Sequence, residues 1–166
     1  MNCSSNFYKV PLCIIYLFKI IMASDFLEID VITTNDLRGV IEPQKAYFMN
    51  PSYPPDIIGG AGFARYLKDF SEKKDFLLVD AGNFYRGSTL GMADSGRTMV
   101  EWMNLNGYDA LVPGQEDFIF GVDNINTLAD LAKFPFLASN IKSINGKNLS
   151  TNIKPFTIKE INGVNI

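Results

Sequence analysis

The chain has 166 residues, of which 47% are apolar, 20% charged and 13% aromatic. That is the composition of an ordinary globular domain and excludes a disordered or collagen-like chain. Lys and Arg number 15 against 18 Asp and Glu, a formal charge of -3, so no basic field gathers the phosphates of a nucleic-acid polymer and none is expected as a partner. Histidine is absent. Neither a Ser-His-Asp triad, a Cys-His dyad nor a His-ligated zinc site can therefore be built. Cys3 and Cys13 are the two thiols, both near the start, which leaves the body of the chain without a disulfide framework or a Cys-based metal site.

Val10 to Ala23 (VPLCIIYLFKIIMA) is an apolar stretch behind Lys9 and before the small pair Ala23-Ser24, the order of a secretory signal peptide. Residues 1–24 are thus expected to be a leader, and the protein to be exported to the periplasm or outside the cell. Lys19 interrupts the stretch, which is also short for a bilayer, so a stable membrane span is not expected. Initiation at Met22 instead would keep the protein in the cytoplasm.

Residues 25–166 read as one unit. Phe26 to Thr34 (FLEIDVITT) alternates apolar and polar residues and predicts a strand with one buried face. The polar turn Asn35 to Gly39 and a loop with Pro43, Pro51, Pro54 and Pro55 follow, leading to Gly59-Gly60. Next, Phe63, Tyr66, Leu67 and Phe70 recur at helical spacing on a face that covers a sheet. Phe76 to Asp80 (FLLVD) suits a parallel strand buried on both faces. Arg97 to Asn106 predicts a helix with Met99, Val100, Met103 and Leu105 on its apolar face, stopped by Gly107. Tyr108 to Val112 is a brief strand. Asp123 to Lys133 is a helix through Ile125, Leu128, Ala129 and Ala132, and Phe134 to Ala138 a further strand. The alternation indicates a layered α/β domain with right-handed crossovers. After Asn145-Gly146, the run Phe156 to Ile166 holds Asn162-Gly163 between short strands, a hairpin signal. The unit is expected to be truncated, with only its first half present.

Three polar turns follow three of these strands: Thr34-Asn35-Asp36-Leu37-Arg38-Gly39, Asp80-Ala81-Gly82-Asn83 and Gly114-Gln115-Glu116-Asp117-Phe118. Loops beyond the carboxyl ends of neighbouring strands in an α/β sheet converge on one crevice. With these motifs in order, the chain resembles the calcineurin-like metallophosphoesterase domain of the 5'-nucleotidase and UDP-sugar hydrolase family, which carries T-N-D-L-H-G, D-A-G-D and G-N-H-E-F-D. Gly59-Gly60 with FAR, VEWMNLNGYDAL, FPFLASNI and PFTIKEINGV match as well. The resemblance extends over residues 26–166 and implies a layered sandwich of sheets flanked by helices. It also implies hydrolysis of nucleotides or other phosphate esters with two divalent cations, Mn, Mg or Zn, which activate a water and clamp the phosphoryl oxygens.

By the same resemblance Asp36 matches a metal-ligating aspartate, while Arg38 stands at a ligating histidine. Asn83 stands at the aspartate that bridges both ions, Gln115 at a ligating asparagine, Glu116 at the catalytic histidine and Ile119 at the aspartate that orients it. A guanidinium has five donors and no lone pair for a metal. The four ligand positions of the family pattern sum to two negative charges, whereas Asp36, Arg38, Asn83 and Gln115 sum to zero. Two dications about 3.5 Å apart repel by about 19 kcal/mol at an effective dielectric of about 20, and a bridging carboxylate is the main local offset. A catalytically impaired or non-catalytic member of the family is therefore expected. The alternatives are an active phosphoesterase completed by a C-terminal half or partner chain, and an inactive gene fragment. Arg38 and Arg86 are either an anion site in place of the lost metals or salt-bridge partners of Asp36 and Glu116. Glu116-Asp117 is either a carboxylate pair for one hard cation or a solvated pair of acids, and Asp80-Ala81-Gly82 a structural strand end.

Overall fold

A computed structural model describes residues 27–142 and 149–166. The expected leader and the Asn145-Gly146 pair lie outside the described residues. β1 (Asp30–Thr34), β4 (Phe76–Asp80), β5 (Ala110–Leu111), β6 (Phe136–Leu137) and β7 (Ile153–Lys154) form a five-stranded sheet in that order, and every neighbouring pair is parallel. Helices α1 (Gly60–Ser71), α2 (Thr89–Ala93), α3 (Arg97–Asn106) and α4 (Gly121–Leu131) connect them. Two antiparallel ribbons complete the fold: β2 (Gln44–Lys45) with β3 (Asp56–Ile57), and β8 (Glu160–Ile161) with β9 (Val164–Asn165). This is the layered α/β architecture that the alternating elements indicate.

A sequential parallel order with crossovers of one hand puts the connecting helices on one face of the sheet. Leu67 of α1, Met99, Val100 and Met103 of α3, and Ile125 and Leu128 of α4 accordingly share one core with Leu78, Leu111 and Phe136 of the strands. Burying each such side chain is worth roughly 1.5–3 kcal/mol. In β4 this leaves Leu78 fully buried but Leu77 and Val79, on the other face, only half-buried, so the strand is not sealed equally on both sides as its apolar run suggests. Two stripe residues also depart from expectation: Tyr66 is 51% exposed and Leu105 86% exposed. Each lies at the edge of its helix's apolar arc, beyond the reach of the sheet. Gly107 ends α3 as predicted, in a left-handed conformation with φ 73°, its N–H donating to the Met103 carbonyl.

The strands are shorter than their apolar runs: β1 starts at Asp30 and not Phe26, while β5 and β6 are trimmed to two residues each. The Pro-rich loop contains the β2–β3 ribbon, in which Gln44 and Lys45 pair with Ile57 and Asp56 and the Ala46 N–H donates to Pro55 O at 2.9 Å, the prolines themselves offering no donor. The Asn162-Gly163 hairpin forms between β8 and β9, both turn residues having positive φ.

The carboxyl ends of β1 and β4 are tied by a buried polar group. Asp80 is 2% exposed. The Thr34 hydroxyl donates to its Oδ2 at 2.5 Å and the Gly82 N–H to its Oδ1 at 2.8 Å, and the Tyr108 hydroxyl lies 2.9 Å from Thr34 Oγ1. Burial raises the Asp80 carboxyl to about 6, against the two hydrogen bonds that favour the anion. A folded-state value above the unfolded one means that the native state binds this proton more tightly. Stability from this group is therefore full below pH about 4 and is lost as pH rises through about 6, by about 3 kcal/mol. Urea unfolding across that range should show the natural chain losing stability relative to Asp80→Asn as pH rises. Parallel pH dependence in the two proteins would contradict the assignment.

Candidate functional site

The loops that leave β1, β4 and β5 continue the pairing of their strands. Ala81 N–H donates to Thr34 O at 2.9 Å, Asp36 N–H to Gly82 O at 3.0 Å, Arg38 N–H to Asn83 O at 3.0 Å and Gly39 N–H to Phe84 O at 2.8 Å. Val112 N–H in turn donates to Asp80 O at 2.9 Å. The first two loops are therefore laced along their length, and their side chains meet at one crevice.

Asp36, Arg38 and Asn83 have φ of 52°, 52° and 56°, a left-handed conformation that costs an L-residue roughly 1–2 kcal/mol. Such strain persists where the surroundings over-determine it and clusters at functional sites. Close approach is enforced by two glycines. A Cβ on Gly82, itself at φ 98°, would come within 2.6 Å of Val112 O, and one on Gly114 within 2.7 Å of Asn83 N.

The group that fastens the third loop to the second is Asp117, which is 0% exposed. Its Oδ2 accepts from Asn83 N–H and Gly114 N–H, both at 2.8 Å, and its Oδ1 from Phe84 N–H at 3.0 Å. Its main-chain carbonyl accepts from the Tyr85 hydroxyl at 2.7 Å. Burial pushes the carboxyl up, opposed by the backbone N–H groups that favour the anion. Glu116 and Asp117 are thus not a matched pair: Asp117 points inward into a closed set of backbone donors and takes no part in a shared cation site or a solvated acidic face. Sequence reading missed this role. Its one available signal is Asp three residues after Gly114, the spacing at which a side chain returns to the first N–H of a turn, and the turn Gln115–Phe118 is indeed a 3-10 helix.

Around this frame sit the residues singled out from the sequence. Asn83 Nδ2 donates to Asp36 Oδ1 at 2.9 Å, and Asn83 Oδ1 accepts from Glu116 N–H at 3.1 Å. The Arg38 guanidinium lies 3.5 Å from Asp36 Oδ1, and Arg86 is ion-paired with Glu116. Asp36, Arg38, Asn83, Arg86 and Glu116 are thereby brought together, with both arginines on the carboxylates named as their alternatives. Gln115 is exposed on the same turn. Ile119, directly after that turn, is 44% exposed and takes no polar role. Among the described residues no three His, Cys, Asp or Glu side chains group so as to hold a metal ion, and no helix is long and apolar enough to cross a membrane.

No family model matches the chain. It is similar to 5'-nucleotidase of Rattus norvegicus, with 32% identity over 122 residues, covering 70% of this chain and 21% of the relative. It is likewise similar to snake venom 5'-nucleotidase of Gloydius brevicauda, with 31% identity over 142 residues, covering 82% of this chain and 24% of the relative. The chain thus spans between a fifth and a quarter of the length of these relatives. In fold it matches the Haemophilus influenzae NAD nucleotidase at a TM-score of 0.71 and 20% identity, over 84% of this chain and 25% of that one. A 5'-nucleotidase precursor from Thermus thermophilus matches at 0.69 and 20% identity, over 82% and 27%.

Truncating Asp117 strands three backbone N–H groups away from water, each worth about 1–3 kcal/mol. Asp117→Ala should therefore lose about 3 kcal/mol or more in urea unfolding. A loss under about 1 kcal/mol, within the range of ordinary surface substitutions, would show that the loops are not held by this carboxylate.

Proposed function

We propose, for a chain that carries the N-terminal part of a 5'-nucleotidase-type metallophosphoesterase domain, that its lineage acts on nucleotides or related phosphate esters while this member binds such a ligand without efficient hydrolysis. Kinship with 5'-nucleotidases supports the ligand class. The single observation that carries the impairment is the Asn83 side chain, which turns an N–H donor toward Asp36 at 2.9 Å. At the position the resemblance assigns to the bridging carboxylate, a neutral amide neither offsets the repulsion of two cations nor leaves Asp36 Oδ1 free to receive one.

The rest of the crevice works in the same direction. Arg38 brings a positive charge to the other side of Asp36 Oδ1, and Arg86 holds the Glu116 carboxylate. Family members use divalent metal; as arranged, these residues do not fit a pair of such ions. What the chain's own groups offer a phosphate ester is hydrogen bonding from Arg38 and Arg86. Both guanidiniums are accessible, with side chains 53% and 42% exposed, and a phosphate would have to compete with the carboxylates they now face.

Export is part of the same reading. It is supported by the apolar stretch Val10 to Ala23 behind Lys9 and by kinship with snake venom proteins. N-terminal sequencing of the secreted protein should find a start near Ser24 or Asp25; an intact leader on cytoplasmic protein, or a start at Met22, would overturn it.

Restoring Arg38→His, Asn83→Asp, Gln115→Asn and Glu116→His together, in the protein at its natural full length, should recover manganese binding and phosphoesterase activity. Each single restoration should recover neither, since it leaves a guanidinium or an unbridged pair in the crevice. Hydrolysis of a nucleoside monophosphate by the unaltered protein at about 1–10³ per second, the ordinary enzyme range, would refute the impairment.

A further inference from the structure

Beside the crevice, a hollow of about 260 Å³ opens between the loop after β1, the β2–β3 ribbon and helices α1 and α3. Its wall is built mainly from Leu37, Val40, Ile41, Ile57, Phe63 and Trp102. The Phe63 and Trp102 rings stack with centroids 6.0 Å apart and planes 29° from parallel. On the Gly59-Gly60 side the wall is set by close backbone approach. Gly60 N–H donates to Ile41 O at 2.7 Å, a Cβ on Gly60 would come within 2.7 Å of Trp102 Nε1, and one on Gly59 within 2.6 Å of Ile41 O. Any side chain at these two positions would fill or spread the hollow.

The polar groups of the lining are few. The Thr34 hydroxyl is committed to Asp80 and Tyr108, and Gln44 adds one neutral amide. Glu42 is the one charged residue of the lining, and the ion pairs among the described residues go to other carboxylates. An apolar, aromatic cavity with a single unpaired carboxylate at its side selects by charge as well as by shape. Its volume is below the roughly 300–1,000 Å³ of pockets for drug-sized molecules, and suits one ring with a short arm. Aromatic faces favour a cation over an anion.

We propose that this hollow binds a small organic amine of one ring, with the ring against Phe63 and Trp102 and the ammonium at Glu42. The site is separate from the proposed loss of metal binding and stands whether or not that reading holds.

Trp102 is the single tryptophan of the chain, so its emission reports the hollow directly. Benzylamine, benzyl alcohol and phenylacetate, which share a ring and differ in charge, would be titrated into the natural chain and into Glu42→Gln and Glu42→Lys. Glu42 is exposed on a loop, so both variants keep the fold. Benzylamine should change the emission saturably and bind about fivefold tighter than benzyl alcohol, the ratio an accessible ion pair supplies, with phenylacetate weakest. Glu42→Gln should bring the amine to the level of the alcohol, and Glu42→Lys should place phenylacetate above the amine. The proposal is overturned by the absence of a saturable change with benzylamine, by equal affinity for all three compounds, or by an amine preference that survives Glu42→Gln.

Discussion

One buried carboxylate holds the crevice together. Three loops rise from parallel strands whose ends lie side by side, and the first two continue the strand pairing through their own backbone hydrogen bonds. The third loop follows β5, keeps one strand-like bond from Val112 N–H to Asp80 O, and is fastened further by Asp117, which accepts from the Asn83, Phe84 and Gly114 N–H groups. A buried carboxylate carries a desolvation cost that only such a full set of donors offsets. The close approach of Gly114 to Asn83 and of Gly82 to Val112 then follows, because the donors lie on those loops and no side chain can stand between them. Asp36, Arg38, Asn83 and Glu116 are displayed on a frame that none of them builds with its charge.

The crevice divides into a buried frame and a displayed set of side chains. Asp80 and Asp117 are locked below the surface and serve the backbone. Above them, the two carboxylates of the crevice rim each face a guanidinium: Asp36 has Arg38, and Glu116 has Arg86. In the function proposed above, these side chains supply the positive charge that a metalloenzyme takes from bound ions; the Asn83 amide lies between Asp36 and the third loop. Substitution of Arg38, Arg86 or Glu116 changes what the crevice presents, whereas Asn83 also ties the loops together through Asp36 Oδ1 and the Glu116 N–H.

Much of the fold was legible because several elements obey purely local rules. The run FLLVD is bounded by charge and by Gly82 and forms β4 with the expected limits. Gly107 and Asn162-Gly163 sit where a left-handed residue is needed. The convergence of the three polar turns was legible for the same reason, since each follows an apolar strand. What escaped depends on tertiary contact. β2, β3 and β7 are two residues long, too short for a period to show. The five-residue α2 is marked only by Ser88, whose side chain accepts from Gly91 N–H at its start. Tyr66 and Leu105 match the helical period but overhang the sheet they were expected to cover. Asp117 reads as one of two adjacent acids, and only the fold separates it from Glu116 by turning it inward.

In the function proposed, the crevice is neutralised by its own arginines and an amide and has no place for two adjacent dications. Manganese titration of the natural chain, followed by the electron paramagnetic resonance of the free ion, tests this most directly. The signal of free manganese should grow from the first addition, with no pair of ions taken up. Disappearance of that signal until two equivalents per chain have been added would contradict it.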